Sequence, residues 1–325
     1  MESAPRSLLS ALTTWNCWGV PFASPLLFHR FGRWRAFHDQ QLLKFLSEHG
    51  KDAGEESCLL VCCFQEIWSF PRGPLMECTA WRDPARVTAG WERFVLVLGI
   101  LCRPLSCCIW DAAQKLFDKW EVGAQRIQYA SVVGNRGMSL AWNSLVDSGL
   151  CILATRSPSE KGFRAYRNWP DGWHEERLAN KGVLWAFWGG PQQGMLVLNT
   201  HLTTRAAVKR KQLEELSWLF AELRSKFLAV STVLEVYICG DFNMDSRRDD
   251  CFKAWYEELD LQLLTTQKPT CGGGGAALDH VFLWRSDREK IATEVSDPIK
   301  PWVGDFCRQA RDDLSDHCWQ GLFVP

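Results

Sequence analysis

The chain has 325 residues, of which 46% are hydrophobic, and its 37 basic and 38 acidic side chains leave a formal net charge of -1. This length is sufficient for one large core or two small ones. Proteins that grip long nucleic acid by its phosphates usually carry an excess of basic residues. The balanced charge therefore argues against that class, although it is compatible with a local basic patch.

The cysteines and the start of the chain indicate a reducing compartment. The 14 cysteines include the adjacent pairs Cys62-Cys63 and Cys107-Cys108, and no CxxC spacing occurs. This pattern resembles neither a disulfide framework nor a zinc site. The first residues show no signal peptide, and we therefore expect a cytoplasmic protein.

The most apolar segment, residues 94–110, is interrupted by Arg103 and Pro104. A membrane span needs roughly 18 uninterrupted apolar residues, so this segment is too short to cross. It predicts either a peripheral contact with a membrane surface or a buried helix hairpin. The 18 tryptophans leave a similar choice between ordinary packing and an aromatic surface suited to lipid headgroups or a choline cation.

Short apolar stretches predict strands along the chain. In order, they are ALTTWN, CLLVCCFQ, GLCILA, KGVLWAFW, MLVLNTH, VYIC, ALDHVFLW and CWQGLFV. Two stretches have helical periodicity, LFHRFGRWRAFHDQQLLKFLSEHG and VKRKQLEELSWLFAELRSKF. This alternation predicts a layered α/β or α+β domain around a central sheet. Residues 69–133, with a helix predicted at 111–120, fit least well and are interpreted as an insertion.

Polar residues recur along the chain at the ends of predicted strands or just before their starts. They are Asn16, Gln65, Glu66, His201, Asp241, Asn243, Asp279, Asp316 and His317. Each alone has an ordinary structural explanation, such as a turn or a solvated strand end. Together they predict a functional site, because a rigid sheet gathers such groups at its edge. Asp241 and Asn243 are spaced to share one face of an extended strand.

The chemistry of these residues suits phosphate ester hydrolysis. Asn16 and Glu66 are oxygen ligands of the kind that Mg²⁺ prefers. The two histidines and the carboxylates can supply a general base, its orienting partner and a stabiliser of charge. A metal that neutralises phosphoryl oxygens and a positioned base that activates water are the requirements of that reaction.

The ordered motifs TWNCWG, CFQEIW, LNTHL, GDFNMDS, LDHVF and LSDHCW resemble the endonuclease/exonuclease/phosphatase superfamily, whose fold is that of deoxyribonuclease I. They run over residues 14–319. The resemblance implies one catalytic domain over residues 1–325, with an apolar insertion at about 69–133. It also implies a four-layered α/β/β/α sandwich with two central, mostly antiparallel β-sheets.

The same resemblance implies roles for eight residues. The metal, Mg²⁺ with Mn²⁺ as a substitute, is held mainly by Glu66, with Asn16 in its water network and Asp316 beside it. The general base is His317, oriented by Asp279. The residues implied to line the scissile phosphate are His201, Asp241 and Asn243.

The middle of the chain resembles the neutral sphingomyelinases. The matching features are Ser148-Gly149-Leu150, an acidic residue at Glu176 and the step Lys181-Gly182. In that family the lysine reaches the active site when a nearby aspartate rearranges, so the glutamate here departs from the pattern. A lysine at this position is otherwise explained as a solvated strand start.

The expected reaction is therefore hydrolysis of sphingomyelin, or a related phospholipid at a membrane surface, to ceramide and phosphocholine. The chain has AALDHVF where inositol polyphosphate phosphatases carry a proline-tryptophan-aspartate-arginine signature, which argues against that branch. The alternative is an endonuclease or an abasic-site nuclease acting on nucleic acid phosphodiesters. The sequence does not predict an oligomeric state.

Overall fold

The computed structural model describes residues 8–16, 40–45, 47–48, 59–66, 131–134, 148–168, 181–265, 268–271, 275–286, 300–303, 317–318 and 320–324. Within these ranges, strands form two six-stranded sheets. The strands are β1 (Leu9–Asn16), β2 (Leu59–Gln65), β3 (Ser131–Gly134), β4 (Cys151–Ala154), β5 (Glu160–Ala165), β6 (Gly182–Gly189), β7 (Gln193–His201), β8 (Val233–Asp241), β9 (Gln262–Leu263), β10 (Asp279–Arg285), β11 (Lys300–Val303) and β12 (Gln320–Phe323).

Each sheet is built around one parallel pair of strands. The first sheet has the order β11-β12-β1-β2-β4-β3, and the second has the order β5-β6-β7-β8-β10-β9. The parallel pairs are β1 with β2 and β7 with β8, and the remaining neighbours are antiparallel. Parallel strands end at the same edge of a sheet, so this topology gathers the carboxyl ends of both central pairs.

Helices accompany the parallel connections. Helix α1 (Ala206–Leu228) joins β7 to β8, and helix α2 (Asp250–Glu258) follows β8. Between β1 and β2, residues 40–45 and 47–48 are helical. A parallel pair requires a long crossover, which a helix usually supplies. None of the helices in the described ranges is long and apolar enough to span a membrane.

The second sheet is buried on both faces. Its inner face packs against the first sheet through residues such as Val197, Cys239 and Val281. Its outer face packs against α1 and α2 through residues such as Leu198 and Ile238. The strands accordingly read as continuous apolar runs instead of alternating ones.

The predicted mixed α/β class and two-sheet sandwich are confirmed, and each of the eight predicted strand stretches contains a strand. The five apolar residues that define the predicted helical stripe of α1 are buried; they are Leu213, Leu216, Phe220, Leu223 and Phe227. The predicted insertion at residues 69–133 and its apolar segment lie outside the described residues, except that residues 131–133 form part of β3.

Candidate active site

The side chains on the facing surfaces of the two sheets are apolar along the strands and become polar at the strand ends. The site is formed at these polar ends. Along β2, for example, Val61 and Cys63 face the core between the sheets, and Gln65 follows on the same face. The strand register then brings the terminal residues together. Asn16 pairs with Gln65 across the parallel strands of the first sheet. In the second sheet, Asp241 at the end of β8 pairs with His201 of β7 on one side and with Asp279 of β10 on the other.

Gly240 allows β8 to approach β7 closely just before Asp241. Its φ is +141°, and a Cβ at this position would lie 1.9 Å from the carbonyl oxygen of Thr200. Only glycine fits such an approach. Because β8 ends at Asp241, strand alternation does not place Asn243. Instead, Asn243 has a left-handed φ of +51°, and its backbone N–H donates to Asp241 Oδ1 at 2.8 Å.

Asn16, Glu66 and Asp241 form a cluster of oxygen-bearing side chains. Asn16 Nδ2 donates to Asp241 Oδ2 at 2.8 Å, and the Asn16 side chain also hydrogen-bonds Glu66. Burial raises the pKa of Glu66 to about 7, even though Lys181 opposes the shift. Burial also raises the pKa of Asp241. Both carboxyl groups are therefore short of compensating positive charge.

A divalent cation fits this cluster. Its donors are oxygens, which Mg²⁺ prefers, and a cation would compensate the two carboxylates that burial disfavours. Asp241, Asp279 and His317 also offer ligand atoms within 4.8 Å of one another. However, Asp279 and His317 bind each other directly. Asp241 is therefore the carboxylate that connects the oxygen cluster to this pair. The predicted ligand Asp316 lies outside the described residues.

Asp279 and His317 form a buried pair. His317 Nδ1 lies 2.6 Å from Asp279 Oδ2, and the two side chains are 7% and 0% exposed. A carboxylate in this position keeps the proton on Nδ1 and leaves Nε2 able to accept one. That nitrogen lies 3.8 Å from Asp241 Oδ2. The His317 backbone is held by Trp15, whose Nε1 donates to the His317 carbonyl at 3.1 Å.

His201 lies between the oxygen cluster and Lys181. Its Nε2 is 3.8 Å from Glu66 Oε1 and 3.6 Å from Asp241 Oδ2. Lys181 Nζ lies 3.2 Å from the same nitrogen and donates to the carbonyl of Leu202 at 3.0 Å. Burial, reinforced by Lys181 and His317, lowers the pKa of His201 well below its usual range. His201 is therefore neutral at physiological pH.

A buried amide pair lies beneath these residues, and one of its members, Asn199, escaped the sequence-based assignment. Gln65 Nε2 donates to Asn199 Oδ1 at 2.7 Å and to Thr14 Oγ1 at 3.1 Å. Asn199 Nδ2 in turn donates to the carbonyls of Phe64 and Cys151. These bonds join the two sheets one residue before Glu66. The available signal was the spacing of Asn199 two residues before His201, which puts both on one face of β7.

The sequence matches the model of the Endonuclease/Exonuclease/phosphatase family over residues 13–317. The chain belongs to this family. Members are in general hydrolases that act on phosphodiesters. No curated protein sequence is significantly similar to the chain.

Several solved structures with a similar fold align with nearly the whole chain at low sequence identity. A beta toxin of Staphylococcus aureus has a TM-score of 0.56 and 13% identity, covering 97% of this chain and 99% of its own. Sphingomyelinase C of Streptomyces griseocarneus has a TM-score of 0.52 and 13% identity, with the same coverages of 97% and 99%. TDP2 of Caenorhabditis elegans has a TM-score of 0.51 and 12% identity, covering 100% of this chain and 78% of its own. These likenesses show a shared fold.

Among the nine residues predicted for the site of this family member, eight form one connected group, and the ninth, Asp316, is the one outside the described residues. Their arrangement combines a buried oxygen cluster with a carboxylate-oriented histidine. This combination can hold a hard cation beside a general base.

Proposed function

We propose that the chain is a Mg²⁺-dependent phosphodiesterase that hydrolyses sphingomyelin, or a closely related phospholipid, to ceramide and phosphocholine. The single observation that carries the hydrolytic part is the oxygen cluster around Glu66 and Asp241, which lies beside the Asp279–His317 pair. The lipid substrate rests on the sequence resemblance to neutral sphingomyelinases around Lys181.

In this mechanism His317 acts as the general base. Its Nε2 accepts a proton from water while Asp279 holds the Nδ1 proton and stabilises the imidazolium that forms, over a distance of 2.6 Å. The resulting hydroxide attacks phosphorus, and the phosphorus–oxygen bond to ceramide breaks. The proton taken by His317 is then available for the alkoxide that leaves, directly or through water.

Lys181 and Asn243 provide N–H donors for the phosphoryl oxygens. Both side chains bind the carbonyl of Leu202, at 3.0 Å in each case, so they converge on one point. Fixed donors directed at developing negative charge need little rearrangement during the reaction. Mg²⁺ bound by Glu66 and Asn16, and by Asp316 as the resemblance implies, would supply further neutralisation of phosphoryl charge.

Three features support a lipid substrate. Lys181, which the resemblance to sphingomyelinases places in the site, contacts His201 at 3.2 Å. One protein of similar fold is a sphingomyelinase C. The apolar segment at residues 94–110 and the 18 tryptophans are suited to peripheral contact with a membrane surface.

A nucleic acid phosphodiester is the second candidate substrate. Helix α1 begins five residues after His201, and its start carries a local excess of basic side chains. Arg205, Arg210 and Lys211 are exposed there. A basic patch beside the site would attract a polyanion despite the balanced net charge of the chain.

A substrate panel separates the candidates. The purified protein is incubated with sphingomyelin, lysophosphatidylcholine, plasmid DNA and abasic-site DNA, with Mg²⁺ present or chelated. The proposal predicts phosphocholine release from sphingomyelin that depends on Mg²⁺. Cleavage of either DNA without phosphocholine release supports the second candidate, and no cleavage of any substrate with Mg²⁺ or Mn²⁺ contradicts both.

A further inference from the structure

Asn243 has a backbone conformation that the surrounding structure must hold. Its φ of +51° lies in the left-handed region, which asparagine tolerates better than most residues but does not prefer. Two hydrogen bonds hold its backbone N–H and its side-chain amide. Its N–H donates to Asp241 Oδ1 at 2.8 Å, and its Nδ2 donates to the Leu202 carbonyl at 3.0 Å.

Lys209 provides a third contact from outside the site. It lies in the first turns of α1, and its Nζ donates to the carbonyl oxygen of Asn243. The side chain is half-buried, whereas those of the following Arg210 and Lys211 are exposed. The Lys209 ammonium group therefore holds the peptide group that follows Asn243, whereas Asp241 holds the N–H of the peptide group that precedes it.

The side-chain amide of Asn243 depends on this clamp for its direction. A left-handed residue bound only at its N–H can relax by rotating about its N–Cα bond, which turns its side chain and its carbonyl group together. Such a rotation would move the Asn243 amide away from the Leu202 carbonyl, which Lys181 also binds. Asn243 and Lys181 both direct a donor at the Leu202 carbonyl, and this shared placement is thus coupled to the contact made by Lys209.

We propose that Lys209 is a positioning residue that acts through Asn243. It touches no substrate; it fixes the peptide after Asn243 so that the side-chain amide is aimed at the phosphoryl group. This inference rests on the proposed phosphodiesterase function. It assigns a role to a lysine for which neither the motifs nor the predicted site residues account.

The test uses variants that distinguish loss of the Lys209 hydrogen bond to Asn243 from loss of a positive charge on the helix. Lys209→Met keeps the aliphatic stem and removes the donor, Lys209→Arg retains a donor, and Lys226→Met removes the same charge from an exposed position in the last turn of the same helix. With bis(4-nitrophenyl) phosphate and Mg²⁺, we expect kcat to fall about 10-fold in Lys209→Met with KM within about twofold, because misplacing one donor costs less than deleting it. Lys209→Arg should recover most of the loss, and Lys226→Met should match the wild type.

A double-mutant cycle shows whether the effect passes through Asn243. Asn243→Gly keeps the left-handed backbone and the carbonyl but removes the amide. In that background Lys209→Met should change kcat by less than about twofold, since interacting residues are non-additive. A further 10-fold loss in that background, or equal kcat in Lys209→Met and Lys226→Met, overturns the proposal.

A second readout needs no activity. The side-chain amide resonances of Asn243, assigned by their absence in Asn243→Gly, should shift or broaden in ¹⁵N-labelled Lys209→Met and stay unchanged in Lys226→Met. Unchanged resonances in Lys209→Met contradict the inference even if the protein hydrolyses no phosphodiester. A wild type that cleaves none of the substrates contradicts the proposed function alone.

Discussion

At the scale of single residues, burial determines which groups are charged. Glu66, whose side chain is 19% exposed, has its pKa raised to about 7, and His201 has its pKa lowered. Burial disfavours the charged form in both cases. The site is therefore arranged at a cost in electrostatic energy, as expected where charges are held for a ligand rather than for stability.

Glu66→Gln should abolish most activity and stabilise the metal-free protein. Between pH 4.5 and about 7 the folded carboxyl keeps a proton that the unfolded chain has lost, so wild-type stability falls as pH rises through this window. A glutamine side chain does not titrate, so the variant does not lose stability in this pH window. At pH 8 in chelator, we expect the free energy of unfolding by urea to be higher by about 3 kcal/mol than in the wild type.

The control for this prediction is the same comparison at pH 4.5, where the difference should disappear. Added Mg²⁺ should raise the stability of the wild type but not of the variant, since a ligand that binds only the folded state stabilises it. Wild-type turnover by Glu66→Gln at limiting Mg²⁺ would rule out the metal assignment.

His317→Ala should lower kcat by a factor on the order of 10² to 10⁴, the usual contribution of a positioned base. The acidic limb of the pH–rate profile should be lost with it. Asp279→Asn should give a smaller loss, because it leaves the imidazole present but alters the partner of Nδ1. If His317→Ala keeps the wild-type acidic limb and high turnover, another group is the base.

Sequence reasoning found the charged residues of the site more readily than its supporting bonds. Glu66, Asp241 and His317 interrupt apolar runs, so their chemistry is visible in the sequence. Lys209 lies among other basic residues of an amphipathic helix, and only the turn at Asn243 distinguishes it. That turn depends on tertiary contacts, which a local pattern does not contain.

At the scale of elements, β8 approaches β7 closely at Gly240. A methyl group there would lie 1.9 Å from the carbonyl oxygen of Thr200. Moving the β8 backbone would displace Asp241 as well, because the two residues are adjacent. The glycine of the motif GDFN is thus required by strand packing.

Gly240→Ala should destabilise the protein by about 3 kcal/mol or more, through overpacking and an unfavourable φ. Gly190→Ala is the matched control, since a Cβ at Gly190 meets nothing within 4 Å. Thermal and urea unfolding of the two variants provide the measurement. Equal stability of both variants would show that β8 can shift at this point without cost.

Strands that the sequence did not predict lie mainly at sheet edges. β5 (Glu160–Ala165) is half-buried and pairs only with β6 in the second sheet. β11 and β9 are edge strands as well, with four and two residues. Helix α2 was missed because it buries few residues, Phe252 and Tyr256. Central elements carry long apolar runs, whereas edge strands carry only a weak signal.

At the scale of the whole molecule, the sandwich brings the ends of two parallel pairs to one site. The residues that meet there are separated by up to 302 positions, as in the bond between Trp15 and His317. The fold class follows from the number and order of apolar runs. The substrate does not, because the same fold hosts different functions.

The apolar segment at residues 94–110 is predicted to bind membrane surfaces. Replacing Val95, Leu98 and Leu101 with serine should reduce flotation with sphingomyelin liposomes and slow hydrolysis of bilayer substrate. Hydrolysis of a short-chain soluble analogue should remain near normal, since apolar burial in the interface drives binding. Loss of both activities together with a lower melting temperature would instead identify the segment as buried core.

The central claim is that Glu66 and its neighbours hold a metal required for release of phosphocholine. The most direct measurement follows phosphocholine by ³¹P NMR in sphingomyelin–detergent micelles with the wild type and Glu66→Gln, each with Mg²⁺ or with chelator. We predict a phosphocholine signal that grows only for the wild type with Mg²⁺. Equal release by the wild type in chelator, or by Glu66→Gln at limiting Mg²⁺, would contradict the account.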